Sequence, residues 1–166
     1  MHRGLPASTL AIAILLGAVP HALAQEPIPY GAPIKLDAAL KLVAAAEAEA
    51  GKHQWPVAVT VVDSAGLLVA FHRLDNTQLG SIEVSLEKAK TSALFRRPSK
   101  YFEDAIAQGG SGLRALRTGV MPVEGGLPII QDGKLIGAIG VSGVKPSEDG
   151  QVARAGLAAL EGGAKP

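Results

Sequence analysis

Hydrophobic positions recur along the chain with two different periods. Over residues 36–52 and 81–95, apolar side chains return every three or four positions, which is the spacing of one helix face. Over residues 57–74 and 126–143, apolar and β-branched residues run in short stretches around glycine-containing turns, which is typical of strands. The predicted order is helix, hairpin, helix, short helix, hairpin, helix. This order predicts one α+β domain, an antiparallel sheet with helices packed against it.

Local capping residues predict where the helices begin and end. Asp37 is predicted to cap the first helix, which runs to about Lys52. Pro98 breaks the second helix, and Ser99 is then predicted to cap a short third one. Ser147 is predicted to cap the last helix, which completes the set.

Both hairpins contain a recognisable turn. The run VAVTVVD from Val57 is apolar on both faces, so we expect it in the centre of the sheet. The Ser-Ala-Gly sequence at 64–66 then turns the chain back into a partner strand. Asp132-Gly133 lies between two apolar runs, and this dipeptide is a strong signal for the second hairpin.

The N-terminal stretch MHRGLPASTLAIAILLGAVPHALAQE has the pattern of an export signal. Arg3 supplies the positive charge, residues 10–19 the apolar run, and Ala22 and Ala24 the small residues before a cleavage site. A transmembrane helix needs about 20 apolar residues, more than this run offers. We therefore expect a signal peptide over residues 1–24 and a periplasmic or secreted protein. The alternatives are an uncleaved anchor and a buried first helix.

Composition supports one globular domain and excludes several kinds of site. Hydrophobic residues make up 48% and charged residues 19% of the chain, as in a protein with a packed core. Proline-rich residues 25–35 are expected to form an extended arm, and residues 36–162 the domain. With no cysteine, the chain forms no disulfide and no thiolate site. A net charge of +1 gives no electrostatic footprint for nucleic acid.

The strand, turn and second-helix motifs together resemble the GlcG/HbpS-like family of haem-binding proteins. In the first hairpin the matching positions are Asp63, Gly66, Arg73 and Asp75. The second helix and the C-terminal part match at Gly80-Ser81-Ile82-Glu83, Lys88-Ala89-x-Thr91, Pro98, Pro128-Ile129, Gly133, residues 136–143, Asp149 and Ala153-x-Ala155-Gly156. The resemblance runs from about residue 36 to residue 160, and it is carried by the order of these motifs.

This resemblance implies a profilin-like α+β fold that is often assembled into higher oligomers. Some members of the family bind or break down haem, and others are encoded with glycolate metabolism. We therefore expect a homo-oligomer that takes a small-molecule ligand, with haem as the leading cofactor. The alternatives are an accessory protein or enzyme acting on a small hydroxy acid, and a non-catalytic oligomeric module that senses a ligand.

His72 and His53 are the candidate iron ligands because no other histidine follows the expected cleavage site. Strand alternation places His72 on the same face as Leu68 and Ala70, and an imidazole beside apolar side chains suits an axial haem ligand. His53 lies near Trp55, whose indole would stack on a porphyrin. The alternatives are a histidine bonded to a neighbour and an indole that covers the edge of the core. Two histidines alone do not make a zinc site.

Arg96, Arg97 and Thr91 are the other candidate contacts for a cofactor. The adjacent arginines before Pro98 would grip a carboxylate such as a haem propionate, or the carboxylate of a hydroxy acid. They would serve equally well as cations at a helix C-terminus. Thr91 belongs to the second-helix motif, and its hydroxyl would either contact the cofactor or bond back along the helix.

Overall fold

The computed structural model describes Met1 and residues 27–110 and 119–161, so the predicted signal peptide lies outside the described residues apart from Met1. The described helices and strands follow the predicted order. They are α1 (Leu36–His53), β1 (Ala58–Asp63), β2 (Leu68–Arg73), α2 (Ser81–Phe95), α3 (Lys100–Ala107), β3 (Gly126–Gln131), β4 (Lys134–Ser142) and α4 (Pro146–Glu161).

The four strands form one antiparallel sheet in the order β2-β1-β4-β3. The β1–β2 and β3–β4 hairpins are joined side by side, because β1 pairs with β4 from Ala58↔Ser142 to Asp63↔Gly137. The central position predicted for β1 is confirmed, and all of its residues except Asp63 are buried. The second hairpin turns at Asp132-Gly133, where both residues have positive φ. The α+β prediction is therefore confirmed.

Helices cover both faces of this sheet. On one face α1 packs on β1 and β2 and α4 packs on β4 and β3, and Leu42, Val152 and Val59 share one buried cluster. On the other face Ala89 of α2 packs against Val62, in a second cluster. Because Val59 and Val62 point to opposite faces of the same strand, the sheet separates these two clusters.

Glycine at 140 lets α2 approach β4 at backbone distance. A Cβ at this position would overlap the Ser85 carbonyl oxygen, and it would lie 2.6 Å from the Ala89 nitrogen. The side chains between helix and sheet are small and polar here, and the Ser85 and Thr60 hydroxyls are 2.8 Å apart. Glycine at this position therefore permits close helix–strand packing.

Two predicted helix caps are wrong, and a third is correct in position but makes no capping hydrogen bond. Asp37 lies inside the first turn of α1, where the capping position belongs to Lys35 without a side-chain bond. Ser147 lies inside α4, which begins one residue earlier at Pro146 because proline suits a first helical position. Ser99 stands at the start of α3, but its hydroxyl donates to the Val123 carbonyl at 2.6 Å instead of capping the helix.

The N-terminal arm docks on the domain near the end of α2. Tyr30 forms a parallel bridge with Leu135, on β4 beyond the point where β1 ends. The Tyr30 hydroxyl donates to the Leu94 carbonyl at 2.8 Å, and Arg96 donates to the Ile28 carbonyl at 3.1 Å. The arm is therefore extended, and it ties the α2 C-terminus to the sheet.

Candidate functional site

The five candidate residues lie on two faces of the sheet. His53 ends α1, and His72 lies on β2 opposite Val59, which faces the α1 and α4 side. Thr91 is in the last turns of α2, and Arg96 and Arg97 follow that helix on the other side. The structure therefore does not bring the histidines and the arginines of one chain into one cluster.

His72 is held in a fixed orientation by a carboxylate from α1. Its Nδ1 lies 2.9 Å from Glu47 Oε1, and the His72 side chain is 47% exposed. A proton on Nδ1 would leave Nε2 as the atom with a free lone pair, facing away from Glu47. Histidines that ligate metals are commonly oriented by a carboxylate in this way.

The surroundings of His72 differ from strict strand alternation. A bulge in the pairing between Val61 and Val62 of β1 turns Leu68 toward the α2 side, where it pairs with Val62. Val69 and Ala70 instead both pack against the α1-side cluster. The predicted shared face of His72 and Ala70 is confirmed, whereas Leu68 does not share it.

The helix that carries Glu47 also has exposed apolar side chains. Leu40 lies two turns before Glu47 on the same helix face, and Leu36 lies one turn further back. Leu40 is 43% exposed and Leu36 is 56% exposed. These partly exposed leucines therefore lie about 10 Å or more along α1 from Glu47, on the same side of the sheet as His72.

His53 is engaged on both its ring face and its Nε2 atom. The ring stacks on Trp55 with centroids 4.2 Å apart, and Nε2 lies 3.3 Å from Gln151 Nε2 and 3.4 Å from Glu49 Oε1. Hydrogen bonds from Lys52 and then Gln151 lower the pKa of Glu49 to about 2, so this carboxylate stays charged. His53 is therefore less free than His72 to ligate a metal.

The arginines and Thr91 have protein partners. The Arg96 guanidinium lies 5.0 Å from the centre of the Tyr30 ring, in addition to its bond to the arm. The Arg97 guanidinium lies 4.4 Å from the Tyr101 ring, and its Nε donates to the Phe95 carbonyl at 3.2 Å. These contacts make both arginines part of the surface around the α2 C-terminus.

The Thr91 hydroxyl holds the segment that precedes β3. It accepts a hydrogen bond from the Met121 amide at 2.8 Å and donates to the Gly119 carbonyl at 3.3 Å. Thr91 is fully buried. Its hydroxyl therefore bonds to a distant loop, and not back along its own helix as the structural alternative predicted.

None of the five candidates lines either of two cavities, although the second cavity lies beside His53. One of about 510 Å³ lies between the arm, the start of α1 and the β3–β4 turn, and Ile34, Lys35 and Lys134 are among its lining residues. Another of about 260 Å³ lies at the end of α1 and is lined in part by Trp55 and Asp75. Within the described ranges there is no cluster of three or more residues of metal-binding type. None of the described helices is both long and apolar enough to cross a membrane.

A buried ion pair was missed by the sequence interpretation. Lys88 of α2 donates to Asp149 Oδ2 at 2.8 Å and to the Val141 carbonyl at 3.0 Å, and both charged side chains are at most 2% exposed. Asp149 also accepts a bond from the Val144 amide. Burial raises the pKa of the Asp149 carboxyl, and the neighbouring Lys88 ammonium opposes that rise. The pair joins α2, β4 and the start of α4.

Comparison with known proteins gives the family. A family model described as "Haem degrading protein HbpS-like" matches residues 34–158, which is most of the chain. The chain belongs to the HbpS-like family. The family assignment made from the motifs is therefore confirmed. The matched residues contain all the helices and strands that lie between the start of β1 and the end of β4.

Related proteins share both sequence and fold with this HbpS-like chain. Protein GlcG of Escherichia coli K12 is 38% identical over 101 residues, which are 61% of this chain and 75% of GlcG. A double-mutant crystal structure of Streptomyces reticuli HbpS is 30% identical with a TM-score of 0.72, covering 87% of this chain and 98% of HbpS. A crystal structure of a PduOC–haem complex is 29% identical with a TM-score of 0.71, covering 76% of this chain and 94% of PduOC.

Proposed function

We propose that this HbpS-like protein is exported and binds haem, with His72 as the ligand to the iron. The observation that carries the proposal is the similarity to PduOC, which has been crystallised with haem. The structural match covers 94% of the PduOC chain. The match to a family described as haem-degrading also supports haem binding. Family membership and fold support haem handling, and the geometry on the α1 side supports His72 as the residue that serves it.

The donor set on the α1 side fits an imidazole-ligated haem. His72 offers Nε2, Glu47 holds Nδ1 at 2.9 Å, and Leu40 provides exposed apolar surface on the neighbouring helix. Bound haem supplies an iron whose reactivity is tuned by its axial ligand and by the polarity around it. In this chain Glu47 fixes the orientation of His72. Arg96 and Arg97 lie on the opposite face, so we place no propionate contact on them.

Haemin titration of His72→Ala tests this proposal. We expect binding to weaken by about tenfold or more and the Soret band to shift, because an axial ligand worth about 1.4 kcal/mol or more is lost. His53→Ala is the matched control, since His53 is similarly exposed but stacks on Trp55. Its affinity and spectrum should stay close to those of the parent. Absence of saturable binding by the parent protein would overturn haem binding, and unchanged behaviour of His72→Ala would overturn the assigned ligand.

Export is proposed from the N-terminal sequence. The apolar run followed by Ala22 and Ala24 supports cleavage after Ala24, which would leave Gln25 as the first residue. The intact mass of protein recovered from the periplasm or the medium should correspond to residues 25–166. Recovery of a species that still carries residues 1–24 would contradict cleavage. Homo-oligomer formation also stays a prediction.

A further inference from the structure

The cleft at the end of α1 has no part in the proposed haem site. It is formed by the last turn of α1, by Trp55 and Pro56, and by the loop after β2 from Leu74 to Asn76. Its volume is about 260 Å³. Pockets for drug-sized ligands measure about 300–1,000 Å³, so a cleft of this size suits a smaller molecule.

The charge of the cleft is negative. Among the described residues that line it, Asp75 is the ionisable one. The Asp75 side chain is exposed and forms no hydrogen bond or ion pair with any residue in the described ranges. The C-terminal end of a helix carries partial negative charge, and α1 ends at this cleft with His53. The nearby Lys52 ammonium is held 2.8 Å from Glu49 and is not among the lining residues.

The loop that carries Asp75 is held without using its carboxylate. Thr77 closes the turn, because its hydroxyl donates to the Leu74 carbonyl at 2.7 Å and its amide donates to the same oxygen at 3.3 Å. Asn76 takes the left-handed conformation that the turn requires, with φ of 63°. Asp75 therefore has a fixed position, and replacement of its carboxylate by an amide leaves the turn intact.

We propose that this cleft binds a small organic cation, whose protonated amine or quaternary ammonium group lies against the Trp55 indole and the Asp75 carboxylate. Indole rings attract such cations more strongly than other aromatic side chains do. The carboxylate supplies the full negative charge, and the side-chain amides of Gln54 and Asn76 at the rim suit a polar tail on the ligand. His53 already stacks on the indole at 4.2 Å, so the ligand would use the remaining indole surface.

Trp55 is the sole tryptophan of the chain, so its fluorescence reports directly on the cleft. The experiment titrates the full chain, without haem, with choline chloride and with butylammonium chloride at constant ionic strength. The neutral isostere of choline, 3,3-dimethylbutan-1-ol, is titrated in parallel. At least one cation should give a saturable fluorescence change, and the neutral isostere should bind about tenfold more weakly than choline if choline is that cation.

Variants separate the site from a general charge effect. Asp75→Asn should weaken cation binding about fivefold or more, because it removes the full charge and keeps the shape. Asp132→Asn is the matched control, since Asp132 is an exposed turn residue in the left-handed region and lies outside the cleft. Its affinity should equal that of the parent.

The proposal is overturned if neither cation binds saturably, or if choline and its neutral isostere bind equally. It is also overturned if Asp75→Asn binds as tightly as the parent while its far-ultraviolet circular dichroism is unchanged. If Asp75→Asn fails to fold, the comparison of choline with its isostere on the parent protein decides the question. These outcomes do not depend on haem binding, because haem is absent and His72 is unaltered.

Discussion

Replacement of Lys88 by methionine is expected to lower the free energy of unfolding by about 3–5 kcal/mol, the range for breaking a buried ion pair. Lys88 and Asp149 are at most 2% exposed, so loss of the ammonium leaves a carboxylate in the core without its counter-ion. The Val141 carbonyl also loses a donor. Methionine has a similar length and no charge, so the effect measures mainly the lost interactions and not a cavity. Urea denaturation followed by circular dichroism gives the value.

Two further variants show whether burial of the charges is the cause. Lys90→Met breaks a partly exposed pair on the same helix, between Lys90 and Glu87, and should cost at most about 1 kcal/mol. The double variant Lys88→Met/Asp149→Leu should be more stable than Lys88→Met alone, because it removes the stranded carboxylate. A loss below about 1 kcal/mol in Lys88→Met would contradict the buried-pair explanation.

Gly140→Ala is expected to destabilise the protein by about 3 kcal/mol, because overpacking that forces backbone to shift is costly. The added Cβ would overlap the Ser85 carbonyl oxygen and would lie 2.6 Å from the Ala89 nitrogen. Both are backbone atoms of α2, so no side-chain rotation relieves the contact, and the whole helix would have to move away from β4. Thermal and urea unfolding measure the loss.

Gly51→Ala is the matched control for Gly140→Ala. Gly51 lies in the last turn of α1, and a Cβ there would meet nothing within 4 Å. Alanine favours helix more than glycine by about 0.5–1 kcal/mol, so this variant should be slightly more stable than the parent. Equal stability of the two alanine variants would show that α2 does not lie on β4 as closely as described.

The elements were predictable from the sequence because their signals are local. Apolar periodicity locates the helices, and the Asp132-Gly133 turn sets the second hairpin. The surroundings of His72 were not fully predictable, since the bulge between Val61 and Val62 depends on how two strands pair. The separation of His72 from Arg96 was equally beyond the sequence, because it depends on which face of the sheet α2 covers.

The buried face of α2 shows why the ion pair was missed. The apolar stripe of α2 consists of Ile82, Leu86, Ala89 and Ala93, and only its alanines are fully buried. The neighbouring stripe is polar, and it lies on the sheet with three serines and one lysine, at Ser81, Ser85, Lys88 and Ser92. Its spacing of four, three and four is as regular as that of the apolar stripe. Gly126 of β3 and Gly140 of β4 make room for this polar stripe of α2. Glycines on the strands that match serines on the helix are the signal that could have found Lys88.

The two outer strands differ in how they would meet another strand. Pro128 in β3 has no N–H to donate, and proline is tolerated mainly on such outer strands. The other outer strand, β2, contains no proline, and no strand in the described part of the chain pairs with its outer edge. Strand addition is therefore favoured on one side only. Two copies that joined through β2 would leave β3 outermost at both ends, and such an arrangement closes after two subunits instead of propagating into a fibre.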